Sequence, residues 1–349
     1  MNISKSIAKP LLNEVVSVLG PSGRVSSEII QILKKENISI DLVPRNCLGS
    51  VSALTEHLTK TRCRFVINGA GISQASSYQK MQEVNVDLAL RVAEATRNCN
   101  AHLFHLSSTA SSIQGIDKIK TPYAYSKHEA ALYLQEYVKG ITVCDLDALI
   151  GSNTSSFDLS TLAFGKAPVK LSLSSEQIIQ PTSYTAVAQT IFNLIKEVHL
   201  GYKAPTKLTC AGHPVSVNHF TSLVKSESSS SEFHLEARIS TKHLEKLAHL
   251  IQSGSLSPEF LHLSELSQKN PRIFDTKEFE HYHGEAIPNP RDLAKIASQT
   301  TLTRTIKEFG KIAMKIPNKT DLLSATYNAW KNTTIALGQR LEDVDHPQG

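Results

Sequence analysis

Short apolar runs alternate with amphipathic stretches from residue 14 to residue 211, and few folds accommodate that pattern. The first run, Glu14–Leu19, ends at a glycine and reads as a buried strand. Arg24–Glu36 follows as a helix with Ile29, Ile32 and Leu33 on one face, and Asn37 stops it. Further strands are predicted at Ile38–Val43, Arg64–Asn68, Ala101–Ser107, Ile141–Leu146 and Lys207–Ala211. Further helices are predicted at Val51–Lys60, Met81–Asn98, Pro122–Lys139 and Tyr184–Val198. Such alternation builds βαβ units, hence an α/β fold with a doubly wound parallel sheet and helices on both faces. Ligands of these sheets bind beyond the carboxyl ends of the strands. The loops in which to look for chemistry are therefore 20–26, 44–50, 69–77, 107–115 and 147–156.

Composition narrows the partners. A chain of 349 residues, 40% of them hydrophobic, can bury a core without help from a disulfide or a metal. Its net charge of +5 is mild for this length and does not predict nucleic-acid binding, which needs a clustered basic face. Cys47, Cys63, Cys99, Cys144 and Cys210 are odd in number and none has C-x-x-C spacing, so neither a zinc site nor a disulfide framework is expected. Free thiols of this kind point to a reduced, cytoplasmic protein. Met1–Pro10 lacks the apolar core of a signal peptide, and no apolar run approaches a membrane span.

Ser226–Glu232 (SESSSSE) reads as a loop or linker, and beyond it the alternation breaks down. Helical stretches are expected at 241–252 and 291–298, and a last helix at Asp321–Leu341 before a loose tail. Leu322, Leu323, Tyr327, Trp330 and Leu337 make a stripe on that helix for packing on the body or on a partner subunit, which leaves a homodimer open. The division expected is 1–225 for the main domain with 151–181 lending to a smaller lobe, 226–317 for that lobe, and 318–349 for the final helix and tail. His281 and His283 lack a third ligand and read as ordinary histidines, so no metal is expected.

Gly20-Pro-Ser-Gly23-Arg-Val-Ser26 joins the first strand to the first helix. A tight turn there lets backbone approach a pyrophosphate, whose charge sits at the helix N-terminus. Ser26 stands where a third glycine would be usual, and Pro21 stiffens the turn, so a purely structural turn is the competing reading. The second strand ends Leu42-Val43-Pro44-Arg45, without the acid that holds the ribose of NAD. Arg45, helped by Arg24, could instead pair a 2′-phosphate, which favours NADP over NAD; the plain alternative is two solvated arginines. Tyr123 and Lys127 are four apart in a helix opened by Pro122, so both project from one face. Free tyrosine is a weak base near neutrality, and a neighbouring ammonium favours the phenolate. The pair can thus move a proton at an alcohol or ketone oxygen. Tyr125 faces elsewhere and reads as structural. Ser107-Ser108-Thr109 ends the fourth strand and could bind the same oxygen.

In this order, the motifs resemble the extended short-chain dehydrogenase/reductase family, the Rossmann-type NAD(P)-dependent nucleotide-sugar epimerases, dehydratases and reductases. The resemblance rests on residues 15–33, FVINGAG (65–71), Asn85 within 83–95, LFHLSSTAS (103–111), TPYAYSKHEAALYL (121–134), 164–171 and 181–195. It implies that Tyr123 is the proton shuttle and that Lys127 binds the nicotinamide ribose. It places the family's Ser/Thr at Thr109, the pyrophosphate loop at Gly20, Gly23 and Ser26, and cofactor-lining residues at Ala70 and Gly71. A nucleotide sugar is the substrate class implied, with a reductase ahead of an epimerase. Asp147-Ala148-Leu149-Ile150-Gly151 replaces the family's Arg-Pro segment after the fifth strand, and Ala110-Ser111 replaces the dehydratases' acidic pair. With these departures, a non-catalytic protein that keeps the fold for binding or regulation is the second reading.

Overall fold

A computed structural model describes residues 14–72, 78–109, 122–136, 140–147, 149–151, 178–227 and 273–296. All six expected long strands form, at β1 (Val15–Leu19), β2 (Ser39–Leu42), β3 (Cys63–Asn68), β4 (His102–Ser108), β5 (Ile141–Leu146) and β9 (Lys207–Cys210). They make one parallel sheet in the order β2-β1-β3-β4-β5-β9. The chain leaves β1 to one side for β2, then crosses to the other side for β3. That reversal opens a crevice at the carboxyl ends of β1 and β3, where ligands of such sheets lie.

The helices follow from the same apolar periodicity. α1 (Arg24–Lys35) buries Val25, Ile29 and Leu33, and Asn37 turns the chain out of it at φ 57°. α2 (Val51–Thr61) is capped by Ser50, whose Oγ accepts from Ala53 N at 3.2 Å. The single helix expected over 81–98 is instead α3 (Tyr78–Gln82), a π-helical turn (Glu83–Asp87) and α4 (Leu88–Asn98). α5 (Pro122–Glu136) precedes β5. α6 (Tyr184–His199) starts at a Ser183 cap that accepts from Ala186 N at 3.0 Å.

Two cores sandwich the sheet. Val16, Val18, Phe65, Ile67, Phe104, Leu106, Cys144 and Leu146 pack with α1 and α6. Leu19, Val66, Leu103, Ile141 and Val143 pack with α2, α4 and α5. Burial of this apolar area is the main stabilising term.

The sequence did not reveal four two-residue strands: β6 (Leu149–Ile150), β7 (Ile178–Ile179), β8 (Thr182–Ser183) and β10 (Val215–Ser216). β10 pairs antiparallel with β7, and β6 pairs parallel with β8. Ile150, Ile179, Val215, Phe220, Val224, Leu293 and Ala294 form a third, smaller core. It includes α7 (Val217–Glu227), so the expected linker begins inside a helix: Ser226 and Glu227 are its last residues, and Glu227 accepts from Arg291 Nε at 2.8 Å. α8 (Lys277–His283) carries His281 and His283, and Phe279 enters the first core. A further helical stretch spans 290–296, overlapping the expected 291–298. The expected helices at 241–252 and Asp321–Leu341, most of 151–181 and the tail lie outside the described residues. All five cysteines are free thiols. Among the described residues no helix is long and apolar enough to cross a membrane, and no cluster of three His, Cys, Asp or Glu could hold a metal.

Candidate functional site

The glycine loop is fixed by contact with the loop after β3. Gly20 adopts φ 67°, and a Cβ there would stand 2.7 Å from Ala70 N and 2.8 Å from its Cα. Only glycine meets both demands. Gly23 N closes the turn on Gly20 O at 3.0 Å. Gly23 is the N-cap of α1 without a side-chain cap, and no acid stands in the first turn. Backbone N–H groups at that end are left for an anion. Ser26 packs its hydroxyl where a side chain on Gly69 would be, 2.0 Å from that missing Cβ. The serine therefore fills the space left by the glycine opposite, and its Oγ is buried with no partner among the described residues.

Arg24 and Arg45 have different surroundings. Arg24 donates from NH1 to Tyr184 OH at 2.7 Å and lies over that ring, 5.6 Å from its centroid. No carboxylate among the described residues pairs with it. Arg45 stands exposed at the start of a 3-10 turn (Arg45–Gly49) after β2. The acid within β2, Asp41, accepts from Ser17 Oγ at 2.7 Å and contacts His57 Nε2 at 2.9 Å.

Tyr123 and Lys127 do share a face. Lys127 Nζ lies 5.9 Å from the Tyr123 ring centroid, and the lysine is only 5% exposed. Tyr125 turns away to pack edge-on against Tyr78 at 5.6 Å. A Cβ on Gly71 would stand 3.2 Å from Lys127 Nζ and 3.3 Å from Asn85 Oδ1. The bare backbone at Gly71 thus keeps a polar recess open beside the lysine. The π-helical turn delivers Asn85 there. Its amide accepts from Ile72 N and donates to Ile72 O, both at 2.9 Å, and donates to Ser126 Oγ at 3.0 Å. Thr109 donates its hydroxyl to Asp147 Oδ1 at 2.9 Å.

Three buried polar residues beneath this recess escaped the sequence reading. Asn68 Oδ1 accepts from Ala70 N at 3.2 Å, so its Nδ2 donates to His105 Nδ1 at 3.1 Å. That assignment leaves the His105 proton on Nε2, a buried atom with no partner among the described residues. Burial, then the Lys127 charge, pushes His105 down to about 3 and keeps it neutral. Asp145, the third, is fully buried in β5 and pairs with Lys207 Nζ at 2.9 Å. Burial pushes Lys127 down to about 8, with Asp145 opposing the fall. A charge inside an otherwise uncharged, fully buried strand was the available signal for Asp145.

These features test the fit of a dinucleotide. The Gly20 turn, the uncapped α1 N-terminus, an arginine that no carboxylate among the described residues pairs with, and the open recess at Gly71 fit one.

No curated protein sequence matches this chain. Solved structures do match in fold. UDP-glucose 4-epimerase from Thermotoga maritima, solved with UDP-glucose, is 11% identical with a TM-score of 0.60, over 83% of this chain and 99% of that one. dTDP-4-dehydrorhamnose reductase from Bacillus anthracis, solved with NADP, is 16% identical with a TM-score of 0.58, over 83% of this chain and 98% of that one. RMD from Pseudomonas aeruginosa, solved with NADPH, is 14% identical with a TM-score of 0.60, over 84% of this chain and all of that one. Residues 14–253 match the model of the RmlD substrate binding domain, and the chain belongs to that family as a divergent member of the extended short-chain dehydrogenase/reductases.

Proposed function

We propose that the chain is an NAD(P)-dependent oxidoreductase that acts at a secondary alcohol or ketone of a nucleotide sugar, with Tyr123 moving the proton. The observation that carries this reading is the recess at Gly71, where Lys127 Nζ and Asn85 Oδ1 converge beside Tyr123. The fold neighbours solved with UDP-glucose, NADP and NADPH support it. When bound, the nicotinamide supplies or accepts the hydride.

The chain's own residues do the rest. Gly20, Gly23 and the α1 N-terminus would hold the pyrophosphate, with Ser26 seating the helix against Gly69. Arg24 would add charge to that end of the crevice. Ala70 and Gly71 would line it, and Lys127 would hold the nicotinamide ribose. Tyr123 would give a proton to the substrate oxygen in reduction and take it in oxidation. Thr109 would orient that oxygen. Its hydroxyl proton is committed to Asp147, so it receives a hydrogen bond from an alcohol more readily than it donates one to a ketone. NADP is the cofactor favoured, because Arg45 is exposed after β2 while Asp41 is engaged with Ser17 and His57. That preference supports a reductase over an epimerase, which must retain its cofactor.

The test is a titration with NADPH and NADH by fluorescence, followed by turnover on a panel of UDP- and dTDP-sugars and their keto forms. NADPH is expected to bind more tightly. Tyr123→Phe is expected to cut turnover by ~100-fold or more while leaving NADPH affinity intact. If neither dinucleotide binds at millimolar concentration, the non-catalytic reading replaces this one.

A further inference from the structure

An ionised carboxylate in the middle of a core strand is costly to bury, by several kcal/mol unless it is paired. β5 is buried along all six residues, and Asp145 is its one charge. Alternation gives its direction. Cys144 and Leu146 enter the core with α1 and α6, whereas Ile141 and Val143 enter the core with α5. Asp145 therefore faces α5, the helix that carries Lys127. It stands in register with Ser107 of β4, whose Oγ is buried without a partner among the described residues. Its Oδ2 accepts from Lys207, whose side chain is 36% exposed at the sheet edge.

Lys127 needs a negative charge, because burial alone drives its ammonium towards the neutral amine. The groups that face it can be named element by element. Tyr123 lies on its own helix. β4 presents His105, which stays neutral, and the π-helical turn presents the uncharged Asn85. β5 presents Asp145, with Lys207 of β9 behind it, and two residues on Asp147, which receives the Thr109 hydroxyl. Asp145 is the group whose charge acts on Lys127 to favour its protonated form.

We propose that Asp145 is the buried counter-ion of Lys127, a positioning residue that keeps the ammonium charged beside Tyr123 while Lys207 anchors the carboxylate from the solvent side. This role rests on the reading of Tyr123 and Lys127 as the proton-handling pair. Asp145 touches neither substrate nor cofactor. It acts through the lysine, across the Ser107 position.

The test reads Lys127 directly, in the full-length protein with labelled lysines, by titrating its side-chain NMR signal; Lys127→Arg assigns the signal. In the native protein the midpoint is expected near 8. In Asp145→Asn it is expected to fall by about one unit, a roughly tenfold loss of charged lysine at a given alkaline pH. A midpoint that stays put in folded Asp145→Asn overturns the proposal. Where that variant fails to fold, Lys207→Met serves. Losing the second cation leaves the carboxylate to Lys127 alone, the midpoint is expected to rise, and its failure to rise overturns the proposal. NADPH titration of the native protein separates the two readings. A shifted midpoint without NADPH binding keeps the counter-ion and removes the oxidoreductase, and NADPH binding with an unmoved midpoint does the reverse.

Discussion

β4 and β5 present two different interiors to their two sides. Towards α1 and α6 they show Phe104, Leu106, Cys144 and Leu146, an apolar row that begins beside a bonded pair, His102 and Thr142, at the amino ends of the strands. Towards α5 the row on β4 runs Leu103, His105, Ser107 and the row on β5 runs Ile141, Val143, Asp145. The second face runs the other way: it begins apolar, with Leu103, Ile141 and Val143, and turns polar in the carboxyl half of the strands. Desolvating a polar group costs free energy that an apolar neighbour does not. That cost is met here by Asn68 on His105 and by Lys207 on Asp145. The point along the strands where apolar gives way to polar is where the candidate site starts, on the side that carries Tyr123 and Lys127.

Substitutions can break this contrast. The largest effect belongs on the side of α1 and α6: Phe104→Ala should cost about 3–5 kcal/mol in urea unfolding, because it deletes a fully buried ring from the main core. A cost under ~1 kcal/mol would mean the two faces do not differ as described. On the polar side the signature is a pH slope. His105 has a folded pKa of about 3 against an ordinary 6.5, so the unfolded chain binds more protons between those values. The stability gained by keeping it neutral is present above pH ~6.5 and is lost as pH falls towards 3. Its share of the loss from pH ~7 to ~5.5 is about 1 kcal/mol. In His105→Leu that share of the slope should vanish, whatever the stability at neutrality; His102, pushed by burial down to about 4, keeps its own. The smallest effect is expected from the double variant Asp145→Leu with Lys207→Met. Replacing a buried ion pair by apolar residues of similar size is often near neutral, so stability should stay within ~1 kcal/mol of the native value. A loss above ~3 kcal/mol would make the pair a structural necessity.

The sheet was legible because parallel strands buried on both faces read as short apolar runs. Val15–Leu19, Cys63–Asn68 and Ile141–Leu146 each match their expected strand to within one residue at either end. The two-residue strands were not legible, since β7 exists only because Val215 and Ser216 lie opposite it. Nor was the π-helical turn, which leaves the helical periodicity of 81–98 nearly intact while rotating Asn85 onto Ile72. Of the site, the Gly20 turn and the Tyr123–Lys127 face could be read from spacing, because both are local. Asn68, His105 and Asp145 could not be grouped, because their meeting depends on the register of three strands far apart in sequence. Nor could Tyr184 be read as the partner of Arg24, because sequence distance gives no hint that its hydroxyl lies 2.7 Å from the guanidinium.

The segment from Phe274 to Ile287 returns to the sheet long after the chain has left it. Gln180 clasps Phe274 with bonds of 2.6 Å and 2.9 Å, and Asn193 donates to Tyr282 O and His283 O, each at 2.9 Å. Phe279 and Ile287 complete the core that α1 and α6 share. For anyone preparing shortened proteins this sets a rule. A fragment ended at the serine run, where composition invites the cut, would strip two core side chains from α6 and bare an apolar strip beside the main sheet. Such a fragment should aggregate on expression, whereas one carried past residue 296 keeps its hydrophobic seal.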